Sequence, residues 1–405
     1  MRRYYLFFLL LIITCSARSQ DFSSYEKPIE TIMFSKALND SVSLEITLPK
    51  ELKNNTSIEY PIIYLLDKQL YNNYKYNLHT IDYLSTLQWM PKAIVVGITF
   101  SRKNRTSWTV PNESGGKADD LIQFIENELN NELKKKYPVS DFNLLIGHSR
   151  TAIFSSYALS KKPDFFNGTI ANSVSNFDFG DEIQQKQFDT FLNKILSNTH
   201  KYYYYFSVGE KAYGDLHESA VDTLNYFLNS KELPKNLEWK YFKHQVAHDL
   251  TPGVTVSNSL SQIFKHYGRR MDQCFELAKS SKNIVPWNDY QDLYTSISTE
   301  LGFKIEPSEL FFNSIASEYY NDYDSIYGNK HLNFSLEILL KAIEKYPEDY
   351  DYYGWIGEIF VTLKEFDKGE HYLNQAIELI KKDKSVSELD RINYIKEIEE
   401  LKKTK

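Results

Sequence analysis

Cysteine is nearly absent: Cys15 and Cys274 are the two in 405 residues. With Cys15 in an N-terminal leader, the mature chain keeps one thiol and can form no internal disulfide, so a disulfide scaffold is excluded. Long apolar runs are missing beyond the first twenty residues, so nothing later in the chain is a membrane-span candidate. Excess positive charge is missing too. The net charge of -7 at pH 7 argues against a nucleic-acid binder. There is no HExxH and no CxxC, hence no metal-ligand spacing. No glycine-rich phosphate loop occurs; the ESGG at 113–116 is a turn. No cofactor is implied. Tyrosine and phenylalanine, in contrast, are abundant at 31 and 25. They suit large cores, or surfaces for carbohydrates or aromatics, and core packing is the plainer use.

The N-terminus, MRRYYLFFLLLIITCSARSQ, has a basic start, an apolar core from Tyr4 to Thr14, and small residues after it. That is the make-up of a secretory signal peptide. Ala17 and Ser19 fit small-x-small cleavage, which leaves Gln20 first. Acylation of Cys15 is the alternative, disfavoured by the size of Thr14 before it. The mature protein is therefore expected to be exported, periplasmic or secreted.

From about Thr31 to Val208, short apolar runs alternate with helical stretches. SLEITLP (Ser43–Pro49) is a strand ended by proline. PIIYLLD (Pro61–Asp67) and KAIVVGITF (Lys92–Phe100) are continuous apolar runs, as expected of strands buried on both faces. The segment from Ala118 to Tyr137 places Leu121, Phe124, Ile125, Leu129 and Leu133 at helical spacing, with acids early and lysines late. FNLLIGHS, GTIANS, KYYYYFSVG and LEWKYFKH are further strands, and SNSLSQIFKHY is a closing helix. The pattern predicts an α/β fold: a mostly parallel sheet covered by helices. After Gly268 it becomes helical throughout. Leu336–Ile380 resembles a tetratricopeptide repeat, with Tyr353, Gly357, Phe366 and Ala376 at signature spacing over about one and a half units. So short an array is expected to pack on the first domain or hold a partner protein. The expected organisation is residues 1–19 leader, 20–268 sheet domain, 269–405 helical region.

LLIGHSRTAIFSSYAL (Leu144–Leu159) is an apolar strand, a serine and a helix. It resembles the nucleophile elbow G-x-S-x-G of serine hydrolases. The last glycine is missing, and Thr151 stands in its place. The elbow strains the serine backbone, so its neighbours two before and two after need to be small. Gly147 satisfies this; Thr151 is β-branched and is expected to crowd the turn. Ser149 is the candidate nucleophile.

Beyond the motif, LEITLP, PIIYLLD, IVVGI with NRTSWTVP, FIENEL, LLIGHSRTA, KPDFFNGTIANSVSNF, VGE and HQVAHD occur in that order. In this the chain resembles the putative-esterase family of α/β-hydrolases over roughly Ser43 to Tyr267. That family includes esterase D, enterobactin, feruloyl and acetylxylan esterases, and mycolyltransferases. The resemblance implies an α/β-hydrolase fold and a serine esterase with a Ser-acid-His triad. It places the histidine at His248, with His244 second. The acid is expected after KYYYYFSVG: Glu210 is the first carboxylate there and Asp215 the runner-up. The oxyanion hole is expected from the Arg150 amide and, by resemblance, the Gln69 amide, although Lys68 stands where the family carries glycine. Arg105, beyond a strand's carboxyl end, is a candidate for binding an anionic substrate. The substrate could be a siderophore ester, an acylated glycan or a small thioester product. The rival expectation is an inactive hydrolase fold whose repeats bind a partner, favoured by Thr151 and Lys68.

Overall fold

A computed structural model describes residues 23–53, 58–174, 182–280, 286–321 and 329–403. The expected leader, with Cys15, lies outside the described residues. Contacts divide the chain after Phe264 into two compact units, four residues before the border expected from sequence.

The first unit is built on one mixed sheet. Its strands are β1 (Ile29–Ser35), β2 (Asp40–Thr47), β3 (Tyr60–Leu66), β4 (Ile94–Ile98), β5 (Val139–His148), β6 (Gly168–Asn172), β7 (Tyr202–Gly209) and β8 (Leu237–His244), in the spatial order β1-β2-β4-β3-β5-β6-β7-β8. β1 pairs antiparallel with β2, and β2 with β4; from β4 to β8 all pairs are parallel. Between them run α1 (Tyr71–Thr86), α2 (Arg102–Ser107), α3 (Ala118–Gln123), α4 (Asn130–Lys136), α5 (Arg150–Lys161), α6 (Glu182–Ile195), α7 (Glu218–Asn229) and α8 (Thr251–Ile263). The stretch expected as one helix from Ala118 is π-helical at Phe124–Leu129, between α3 and α4.

Burial explains the strand sequences. Every residue of β3, β4, β6 and β7 is buried, as a sheet covered on both faces demands. The tyrosines of β7 are core, not binding surface: Phe206 stacks on Trp239 at 6.2 Å and Tyr241 at 5.3 Å between centroids. After β3 the chain crosses to β4 on one side; from β5 onward it advances on the other. The carboxyl ends of β3 and β5 therefore flank the point where strand order reverses, the usual place for a site in such sheets.

The second unit is helical: α9 (Lys265–Gly268), α10 (Arg270–Ser280), α11 (Pro286–Leu301), α12 (Glu309–Asn321), α13 (Asn329–Lys345), α14 (Tyr350–Thr362), α15 (Phe366–Lys382) and α16 (Glu388–Leu401). α12 packs on α13 and α14 on α15. Tyr290, Phe311, Ile315, Leu339 and Ile356 share a core in which Cys274 is buried as a free thiol. Among the described residues no helix is long and apolar enough to cross a membrane.

Candidate active site

β5 brings its last buried residues, Gly147 and His148, to the sheet's carboxyl edge. Ser149 follows with φ 59° and ψ -121°, and α5 starts at Arg150. A left-handed φ is costly for a residue with a Cβ and persists where surroundings enforce it. Here the Ser149 amide donates to the Asn172 carbonyl at 2.8 Å, and Asn172 Nδ2 donates to the Gly147 carbonyl at 3.0 Å. The end of β6 thus clamps the elbow. Gly147 has to be glycine: a Cβ there would lie 2.4 Å from the Thr151 carbonyl oxygen.

Thr151 is fully buried, and its side chain does not merely crowd the turn as expected. Its hydroxyl accepts from the His148 amide at 3.0 Å and donates to Asp67 Oδ2 at 2.7 Å. The residue replacing the glycine therefore ties the elbow to the loop after β3.

Asp67 opens that loop with φ 64°. Its buried carboxylate takes Arg105 Nε at 2.7 Å and Nη2 at 2.9 Å in a two-pronged pair, and Gln69 Nε2 at 2.6 Å. Arg105 Nη2 also reaches the His148 carbonyl at 3.2 Å. Arg105, expected at an anionic substrate, is instead spent on bracing the loop against the elbow. Gln69 Oε1 accepts from the Phe100 amide at 2.9 Å, so both ends of that side chain staple the loop. Lys68 leaves the turn altogether: its Nζ pairs with Glu30 at 2.9 Å and Glu45 at 3.0 Å, on β1 and β2. The Arg150 amide belongs to the first turn of α5, where N–H groups have no intrahelical acceptor.

The candidate histidine and the carboxylate beside it come from the loops after β8 and β7. Glu210 leaves β7 still extended, its amide bonded to the His244 carbonyl at 2.9 Å. A 3-10 turn over Lys211–Tyr213 and Gly214, at φ 99°, then reverse the chain and return Asp215 to the strand end. Asp215, not Glu210, is the carboxylate beside His248. Its Oδ1 lies 3.3 Å from His248 Nδ1 and accepts from the His217 amide at 3.1 Å. Its Oδ2 accepts from the Gly209 amide at 2.9 Å and from the Ser173 hydroxyl. Burial alone would raise the Asp215 pKa. The bonds from His248, Ser173 and the two amides outweigh it and hold the group well below the usual carboxylate range.

His248 stands in a 3-10 turn over His248–Leu250, its ring 4.8 Å from that of His148 and 5.2 Å from that of His217. His148 Nε2 meets the His248 carbonyl at 3.0 Å. A carbonyl only accepts, so Nε2 carries the proton, and burial lowers the His148 pKa. His244 has other partners: it stacks on Phe242 and meets Thr255 Oγ1 at 3.0 Å. Among the described residues, Asp215, His217 and His248 bring ligand atoms within 4.8 Å of one another, as do His148, His248 and Asp249. The Asp215 oxygens are already filled by donors, so that group is a hydrogen-bonded relay more than a metal cradle.

Residues 35–250, more than half of the chain, match the model of a family described as Putative esterase. No curated protein matches the sequence. An uncharacterised protein from Capnocytophaga ochracea shares 16% identity at a TM-score of 0.64, over 93% of this chain and 100% of its own. An IroE-like serine hydrolase from Shewanella oneidensis shares 18% at 0.58, over 76% and 99%. The BES protein from Bacillus cereus shares 18% at 0.50, over 59% and 95%. At such identities the likeness is one of fold.

Proposed function

The chain belongs to the Putative esterase family and is a carboxylic ester hydrolase; on that premise we propose that Ser149, His248 and Asp215 are its catalytic triad. The observation that carries this reading is the buried, fully bonded Asp215 carboxylate against His248 Nδ1, on the same sheet edge as the strained Ser149 elbow.

With Nδ1 turned to Asp215 and Ser173, His248 has Nε2 left for the serine. Ser149 Oγ attacks the acyl carbonyl while His248 Nε2 takes its proton. The charge on the carbonyl oxygen is met by the amides of Arg150 and Gln69. Collapse expels the alcohol, which takes the proton back from His248, and leaves an acyl group on Ser149. Water, deprotonated by His248, then attacks the acyl-enzyme; the second collapse frees the acid and restores the serine. Asp215 keeps its charge throughout and stabilises the imidazolium.

The natural substrate is proposed to be a siderophore ester or an acylated glycan. The basic, then apolar composition of residues 1–19 supports an exported enzyme, periplasmic or secreted. The helical unit is proposed to hold a protein partner. The rival reading of an inactive binding protein loses its grounds, because Thr151 and Lys68 each have a place outside the reacting groups.

A fluorophosphonate probe tests the chemistry, since it labels an activated serine. Wild type is expected to be labelled on Ser149 and to hydrolyse p-nitrophenyl acetate or butyrate. Ser149→Ala and His248→Ala, with unchanged thermal stability, are expected to lose both. Undiminished turnover in Ser149→Ala would refute the assignment.

A further inference from the structure

The bond at His248 Nδ1 is not the one a plain triad would have. Asp215 Oδ1 is 3.3 Å away, while Ser173 Oγ is nearer, at 2.9 Å. Ser173 also donates to Asp215 Oδ2. One hydroxyl proton serves one acceptor. Directed to the carboxylate, it leaves a lone pair on Oγ for the Nδ1–H of His248. The order is then His248 Nδ1–H to Ser173 Oγ, and Ser173 O–H to Asp215.

The backbone is bent to make this possible. Ser173 is fully buried and has φ 48°, a conformation that a residue with a side chain rarely adopts. It is held there by its amide, which donates to the Ser207 carbonyl on β7 at 2.8 Å. The preceding residue, Asn172, receives the Ser149 amide. A single step of chain past β6 thus anchors the nucleophile on one side and the acid-base pair on the other. A serine kept in a left-handed turn, where glycine would fit without strain, is most simply explained by its hydroxyl.

We propose that Ser173 is a positioning residue of the hydrolytic site: its hydroxyl links the Asp215 carboxylate to Nδ1 of His248 and sets the tautomer and rotation of that ring. The inference rests on the triad reading above. When His248 accepts the Ser149 proton on Nε2, the imidazolium presents its Nδ1–H to Ser173 Oγ, which the carboxylate has polarised. No proton needs to leave Nδ1; the link orients the ring and stabilises its charge.

Ser173→Gly and Ser173→Ala in the full chain separate a hydroxyl role from a backbone role. Glycine relieves the positive φ and removes the hydroxyl; alanine keeps the strain and removes the hydroxyl. Both are expected to lower kcat on p-nitrophenyl butyrate roughly 10- to 100-fold, the range for losing a buried bond to a charged group. KM is expected to stay within about threefold. The acidic limb of kcat/KM should move to lower pH, because the imidazolium loses the polarised hydroxyl oxygen that stabilises its charge. If Ser173→Gly keeps at least about half the wild-type kcat with an overlaid pH profile, while Asp215→Asn and His248→Ala lose activity, the inference fails and the triad stands. If Asp215→Asn and His248→Ala also leave hydrolysis intact, the triad reading fails and takes this inference with it.

Discussion

Thr151 is where pattern and structure diverge most, and its replacement by glycine or valine separates two accounts of the elbow. If the threonine crowds the turn, glycine should relieve it and speed acylation. The structure points the other way, because the hydroxyl has two buried partners, the His148 amide at 3.0 Å and Asp67 Oδ2 at 2.7 Å. Thr151→Val keeps the shape and removes the hydroxyl. Loss of a hydrogen bond to a charged group costs about 1.5–3 kcal/mol, and an orphaned buried amide costs about 1–3 kcal/mol. The sum, about 2.5–6 kcal/mol, is a large part of a typical domain's stability. Thr151→Gly loses the same bonds, adds roughly 0.3–0.5 kcal/mol for glycine in place of threonine in a helix, and leaves the space of the buried methyl unfilled. Thr151→Ser keeps the hydroxyl and should stay within about 1.5 kcal/mol of wild type. Urea midpoints of the full-length variants should rank wild type, Ser, Val, Gly in falling order. Turnover of p-nitrophenyl butyrate should not rise in any of them. A glycine variant of wild-type stability with more than about tenfold faster acylation, about 1.4 kcal/mol of barrier, would refute this account and restore the crowded-turn view.

The acid is distinguished by a pair of substitutions. Asp215→Asn should lower kcat on the order of 10³- to 10⁴-fold through the wrong histidine tautomer, and Glu210→Gln by less than about twofold; the reverse ranking would return the role to Glu210. Stability should depend on pH through His148, whose pKa burial lowers. As pH falls, the unfolded chain takes up the proton first, near the ordinary value of about 6.5. The stability is thus fully present above about pH 6.5 and is lost below it, at up to about 1.4 kcal/mol per pH unit, until the folded ring also protonates. Burial acts with the same sign on His200 and His244, so His148→Gln should shallow the dependence of Tm on pH without removing it. A wild-type Tm equal at pH 5 and pH 7.5 would contradict this. Asp215 adds a separate loss at lower pH: its contribution is complete above about 4 and disappears as pH falls toward its depressed folded value.

What was legible in the sequence was what each segment encodes locally. Continuous apolar runs announced β3, β4 and β7, because a strand buried on both faces leaves no room for polar alternation. The strand-serine-helix order marked Ser149 as the residue of a strand-to-helix turn. His248, proposed as the base, came from the family resemblance. Which carboxylate stands beside it was not legible, because the choice between Glu210 and Asp215 depends on a reversal of the chain. Gly214, which makes that reversal, was the available signal: a carboxylate just past a left-handed glycine can return to the strand end, while one in the extended residue before the turn cannot. Ser173 had no signal, since a serine after a buried strand is ordinary until its φ and its two partners are seen.

Thr151 and Arg105 find a common explanation in the structure. Taken singly, Thr151 reads as a crowded turn and Arg105 as a substrate cation. Their shared partner is Asp67, 84 residues from Thr151 and 38 from Arg105 in sequence. A buried carboxylate needs a counter-charge and further donors, or the cost of desolvation is not recovered. Arg105 supplies the charge; Thr151 and Gln69 supply the donors. A glycine at 151 would leave one oxygen of Asp67 short of a donor, so the missing glycine and the buried Asp67–Arg105 pair are one feature spread over three elements. Reading a motif position by position cannot find it, because the compensation lies on other elements and is closed only by the crossover that sets β3 beside β5.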